Sequence, residues 1–280
     1  VLAYRHLFHA GNFADVFKHS IVVQLAALIA RKEKPFVYLD THAGIGSYDL
    51  THAWAEKNRE FENGIARVFS RTDCPASIRP YLEAVHEYNP DGKLRFYPGS
   101  PLLVEQLLRG NDRMVLTELN RDDCIRLQKR FDANRRVQVR NMDGYQALKA
   151  FLPPQERRGL ILVDSSFDRA NEFERIADAL IGAHRKFATG VYAIWYPLMA
   201  PSDISDFEQR ISNSGIRKIL KLELSVHPGD WQDSLRGSAM LVVNPPYGLE
   251  TLAAPMLHWL WNALSDDGSG RYRVKWLVGE

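Results

Sequence analysis

Cysteine is scarce in this chain: Cys74 and Cys124 are the two in 280 residues, and they form no C-x-x-C pair. That excludes a zinc ribbon and a disulfide scaffold, and it suits a reducing, cytoplasmic setting. Long hydrophobic runs are missing too. No stretch of roughly eighteen unbroken apolar residues occurs, so no membrane span is expected, and the N-terminus has no signal-peptide core. Internal repeats and low-complexity segments are absent, which excludes solenoids and disordered arrays. Charge of one sign is lacking as well. With 36 basic and 34 acidic residues the net charge is +2, which selects neither a nucleic acid nor a small metabolite as partner. His6-x-x-His9 has no acids or cysteines clustered beside it in sequence, so no metal is expected.

What is present is an ordinary globular composition, 45% apolar and 25% charged, long enough for one large α/β domain spanning 1–280. Val16, Phe17, Ile21, Leu25 and Leu28 recur at helical spacing and predict a helix over 14–31, with a basic end that suits its C-terminus. Pro35 stops it, and Phe36–Asp40 reads as a buried strand. Further strands are expected at 114–118, 137–140, 160–164 and 191–195, with helical patterns between them at 122–134 and 172–186. Strands alternating with helices predict a mostly parallel sheet covered on both faces. Segments 219–226, 240–243 and 273–278 read as strands closing one edge, the last two separated by a helix carrying Leu252, Met256, Leu257, Leu260 and Trp261.

Asp40-Thr-His-Ala-Gly-Ile-Gly46 follows the first strand. Glycines at such a turn let a ligand lie over the strand ends. A dinucleotide fingerprint would place a third glycine at Asp49, which fits poorly and leaves a nicotinamide-dependent oxidoreductase as the weaker reading. An acid four residues before Gly44 instead suits S-adenosylmethionine, whose sulfonium and ammonium favour an acidic pocket. Glu118 ends the second strand, where a carboxylate takes ribose hydroxyls. Asp143-Gly144 follows the third, beside the adenine edge, and Asp164 ends the fourth at the reaction centre. Between Gly44 and Glu118 the interval far exceeds the roughly 20 residues usual in such folds. The excess, 49–96, is polar, proline-punctuated and rich in helix formers, and reads as an inserted helical subdomain able to grip a large substrate.

The chain resembles the RlmJ family of 23S ribosomal RNA adenine-N6 methyltransferases nearly end to end. The matching blocks are Tyr4-Arg-His-Leu-Phe-His-Ala-Gly-Asn-Phe-Ala-Asp-Val-Phe-Lys-His19, Tyr38-Leu-Asp-Thr-His-Ala-Gly-Ile-Gly46 and Tyr97-Pro-Gly-Ser-Pro-Leu102. They continue with Leu116-Thr-Glu-Leu119, Arg158-Gly-Leu-Ile-Leu162, Phe187 to Pro197 and Gly215-Ile-Arg-Lys-Ile-Leu220. The resemblance implies a Rossmann-like class I methyltransferase with a seven-stranded type of sheet, acting on protein-free or early-assembly 23S ribosomal RNA; a monomer is the default expectation. It implies S-adenosylmethionine contacts from His19, His42, Ser100, Glu118, Asp143, Gly144 and Asp164, beside Asp40, Gly44 and Gly46 of the glycine loop. Tyr4, His6 and Lys18 fall on the substrate side.

Enzymes that methylate adenine N6 resemble one another in a D/N-P-P-Y/F turn after the fourth strand. The acid and the next backbone carbonyl accept the amino hydrogens, and the aromatic stacks on the flipped-out base. Here the turn is Asp164-Ser-Ser-Phe167: acid and aromatic remain, but both prolines and their fixed φ angles are gone. This departure motivates an alternative, a cofactor- and nucleic-acid-binding relative with weak or absent turnover, linked to DNA handling. Asn244-Pro-Pro-Tyr247 matches the motif better but stands by strand counting near the sheet's edge, so position favours Asp164 and Phe167. Arg5, Arg59, Arg67, Arg135, Arg136, Arg157, Arg158, Arg217 and Lys218 are the basic candidates for phosphate contact.

Overall fold

The computed structural model describes residues 5–228, 235–266 and 268–280. Helix α1 (Phe13–Ala30) leads into β1 (Val37–Asp40). A two-stranded antiparallel ribbon, β2 (Ser47–Asp49) and β3 (Phe96–Pro98), then brackets the short helices α2 (Ala53–Asn58), α3 (Ile65–Val68) and α4 (Arg79–Glu87). The chain continues as α5 (Ser100–Glu105), β4 (Arg113–Glu118), α6 (Arg121–Phe131), β5 (Val137–Asn141), α7 (Gly144–Phe151) and β6 (Gly159–Val163). It ends with α8 (Glu172–Lys186), β7 (Val191–Pro197), α9 (Pro201–Ser212), β8 (Ile219–Ser225), β9 (Gly237–Val243), α10 (Leu249–Leu264) and β10 (Arg271–Val278).

Among the described residues eight strands form one sheet, in the order β10-β8-β9-β7-β6-β1-β4-β5. The five strands from β7 to β5 are mutually parallel, while β9 runs antiparallel between β7 and β8. This mostly parallel α/β sheet has the Rossmann-like architecture expected from the sequence, with β10 added on its outer edge. Period-two alternation divides the core. Tyr38, Met114, Leu116, Leu160 and Leu162 face α1, α5 and α10, whereas Val37, Leu39, Val115, Ile161 and Val163 face α7 and α8. The chain passes from β1 to β4 on one side and from β5 back to β6 on the other. The topological switch point therefore lies between the carboxyl ends of β1 and β6.

Helix α1 is capped by Asn12, whose side chain accepts from the Asp15 amide at 3.0 Å. By length and hydropathy it passes for a membrane span, but 89% of it is buried inside the fold. The β2–β3 ribbon, too short for a periodic signal, was not legible in sequence. Segment 49–96 packs Ile65, Val68, Tyr81, Leu82 and Val85 into the same core as α1.

Candidate active site

The N-terminal block builds its polar network from one helix face. Asp15, Lys18 and His19, three and four residues apart, share that face of α1. The Asp15 carboxylate accepts from the Gly11 amide at 2.9 Å, lies 2.9 Å from His6 Nε2, and meets Lys18 Nζ at 2.9 Å. Lys18 Nζ continues to Asp164 Oδ2 at 2.6 Å. Burial alone would raise the Asp15 carboxyl, but His6 and Lys18 hold it well below the usual range. Burial would likewise lower Lys18, and the two carboxylates reverse that and raise it. His19, buried beside Tyr97 Oη at 2.7 Å, is pushed down to about 3 by burial and stays neutral.

The loop after β1 is shaped by close approach. Gly44 has φ +61° and a Cβ there would stand 2.3 Å from Tyr48 Oη, while one on Gly144 would stand 2.3 Å from the Thr41 carbonyl. Glu118 accepts from the Gly44 amide at 3.0 Å and the Asn120 amide at 2.7 Å, and burial raises it. Asp143 caps α7 through the Tyr145 and Gln146 amides.

A cavity of about 680 Å³ opens over the carboxyl ends of these strands, lined by the predicted His6, Lys18, His19, His42, Gly44, Ser100, Glu118, Asp143, Gly144, Asp164 and Phe167. Two of the expected residues, Asp40 and Gly46, lie outside the cavity lining. Asp40 is fully buried beneath the loop, where its carboxylate accepts from Tyr38 Oη at 2.8 Å, Ser100 Oγ at 2.6 Å and the His42 amide at 3.2 Å. Burial raises it to about 6, so it organises the loop from below. Gly46 packs against Leu127 of α6, with φ +83°, and does not line the cavity. Tyr4 lies outside the described residues.

Phe167 has a left-handed backbone, φ +52°, a conformation uncommon for non-glycine residues that Arg59, Arg157, Lys218 and Asn244 share elsewhere among the described residues. Its ring meets Phe173 and Trp195 edge-on at 4.9 and 6.0 Å. Ser165 is buried and donates to Glu172, and Ser166 donates to Asp168 at 2.9 Å. Asn244 is elsewhere: antiparallel β9 carries it to the opposite rim of the sheet, where its amide donates to the Ala188 and Gly190 carbonyls at 2.8 Å each.

Comparison with known proteins bears on this arrangement. Residues 33–278 match the family described as "Ribosomal RNA large subunit methyltransferase D, RlmJ". The chain belongs to the RlmJ family. It is 42% identical to the Escherichia coli K12 protein named ribosomal RNA large subunit methyltransferase J and 41% identical to the Haemophilus influenzae protein of that name, with all of each chain covered. A crystal structure of a Legionella pneumophila protein superimposes with a TM-score of 0.89 at 34% identity, over 96% of this chain and 98% of that one.

In this RlmJ-family member several lining residues carry no signal of their own in sequence. Asp15 is one, hidden within a longer block, and Trp195, Tyr145, Glu172 and Arg175 are others. Of the nine basic residues singled out, Arg5 lines the cavity. Arg136 and Arg158 donate instead to main-chain carbonyls of Leu108, Arg109, Ile29 and Lys34. Arg217 and Lys218 engage the C-terminal Glu280. Isolated arginines in sequence do not distinguish a phosphate ligand from a carbonyl cap.

Proposed function

We propose that this chain transfers a methyl group from S-adenosylmethionine to the N6 amino group of an adenine in 23S ribosomal RNA. It acts as a cytoplasmic monomer on protein-free or early-assembly RNA. The observation that carries the reading is the turn after β6: Asp164, clamped on one oxygen by Lys18 at 2.6 Å, 14% exposed to the cavity and followed by the left-handed Phe167. Membership of a family whose relatives are named as ribosomal RNA large subunit methyltransferases supports it.

The residues present fit the implied cofactor. A Cβ at Gly44 or Gly144 would fill the cradle, and Glu118, Asp143, His42, His19 and Ser100 ring it with donors and acceptors suited to ribose, adenine and an amino-acid tail. When bound, S-adenosylmethionine supplies a methyl group activated on a sulfonium.

The chain's own residues have a narrower task. Adenine N6 is a weak nucleophile because its lone pair is delocalised into the ring. Asp164 Oδ1, left over by Lys18, and the Ser165 carbonyl accept the two amino hydrogens and localise that lone pair. Phe167 stacks on the flipped base, and catalysis comes from orientation and fixed charge. Lys18 and His6 hold their geometry through buried Asp15. Segment 49–96 is assigned as an inserted subdomain of one methyltransferase domain, gripping RNA beside the cavity.

The test is transfer of labelled methyl to 23S RNA lacking the modification, followed by digestion and identification of the labelled nucleoside, with Asp164→Ala alongside. N6-methyladenosine from the parent and none from the variant is expected. Cofactor binding without transfer by either protein would favour the binding-protein alternative.

A further inference from the structure

We propose that Glu172 is a positioning residue that ties the turn presenting the substrate amine to the wall of the cofactor cavity; the inference rests on the methyltransferase reading above. Glu172 is the first residue of α8 and is 2% exposed. One carboxylate oxygen accepts from both Ser165 Oγ and Tyr145 Oη, and the other from Arg175 Nη1 at 2.9 Å. Arg175 continues to Asp143 Oδ2 at 3.4 Å, and its guanidinium lies 4.6 Å from the Tyr145 ring centroid. The Tyr145 ring in turn meets His42 edge-on at 5.6 Å.

Three elements that end at the cavity therefore converge on one buried carboxylate: the turn after β6, the start of α7 and, through Tyr145, the loop after β1. Burial, reinforced by the neighbouring Glu172 carboxylate, raises the Tyr145 hydroxyl, which keeps it a donor. Where the D/N-P-P-Y/F pattern carries prolines, this chain carries a hydroxyl with a buried acceptor. Ser165 has no ring to restrict φ, but a hydrogen bond to a buried carboxylate that also meets Arg175 restrains the same backbone from its side chain. The Asp164-Ser-Ser-Phe167 departure is thereby compensated within the chain itself.

The experiment compares the parent with Glu172→Gln, Ser165→Ala, the double variant of these two, and Ser165→Pro in the Glu172→Gln background. Methyl transfer, hydrogen exchange of the 164–169 amides and melting temperature are measured on each. Glu172→Gln is expected to lower kcat about tenfold or more while moving KM for RNA and cofactor only a few-fold, because a loosened turn misplaces the amine. Exchange at 164–169 should accelerate. The double variant should be little worse than the worse single, marking a shared interaction, and Ser165→Pro should restore slow exchange and most of kcat. Unchanged exchange and kcat in Glu172→Gln would overturn the proposal. So would a loss that tracks the melting temperature and is not recovered by Ser165→Pro. A parent with no transfer would sink the methyltransferase reading instead, and the exchange data would still decide whether Glu172 holds the turn.

Discussion

Lys18 sits between two carboxylates, 2.9 Å from Asp15 and 2.6 Å from Asp164, with 4% of its side chain exposed. Removing a partner from a buried ionic network leaves charge without compensation, which costs about 3–5 kcal/mol. Lys18→Met is expected to destabilise the fold by that amount in urea titration and to lower transfer at least about a hundredfold, since Asp164 loses its clamp. Arginine should not substitute: its planar fork does not match a compact ammonium between two carboxylates. Retention of near-parental turnover by Lys18→Met would remove the ion pair from the mechanism.

Direction of travel places the two candidate turns on opposite rims of the sheet. Strands β6 and β9 both end in an acid- or amide-containing turn, but only β6 runs parallel to β1. Asn244→Ala should therefore cost about 1–2 kcal/mol through its lost bonds to the Ala188 and Gly190 carbonyls. Transfer by the folded variant should stay within a factor of two or so of the parent, because no catalytic group has moved. Helix α2 makes a different contribution. Trp54 is 42% exposed at the cavity mouth and stacks on Phe8 at 5.4 Å, with the Arg5 guanidinium 6.0 Å from its ring. Base stacking on an aromatic is worth about 1–3 kcal/mol. Trp54→Ala is expected to weaken RNA binding about tenfold without altering cofactor affinity by calorimetry, and equal RNA affinity would exclude α2 from the interface.

For the whole molecule, burial of imidazoles contributes to the acid response. His19 falls from the ordinary 6.5 to about 3, and His42 is also lowered, in both cases by burial first. Below pH 6.5 the unfolded chain takes up protons that the folded His19 refuses, so stability falls as pH drops from 6.5 towards 3. Asp40, raised from 3.8 to about 6, acts in the opposite sense. The folded state holds that proton more tightly, and stability declines as pH rises through this window. The melting temperature of the parent should drop on acidification, and His19→Gln should flatten that dependence whatever its effect at neutral pH. An unchanged slope would mean that His19 titrates alike in both states.

The primary structure alone determined the alternating elements and most of the strands, because period-two and helical hydrophobic spacing is local and a fully buried strand such as Gly159–Val163 is apolar throughout. It also determined that acids stand at strand ends, since Glu118, Asp143 and Asp164 follow their strands in a row. Tertiary structure alone decided which of those groups face the cavity. Asp40 turns downward to Tyr38 and Ser100, Asp15 gathers His6 and Lys18, and Asn244 leaves for the far rim, each through partners many residues away or through strand direction. It decided, too, where the Ser165 hydroxyl goes: its acceptor is the buried carboxylate of Glu172, on the next helix. Local pattern fixes what a segment becomes; which side chain meets which is settled only when non-local packing closes the sheet around the switch point.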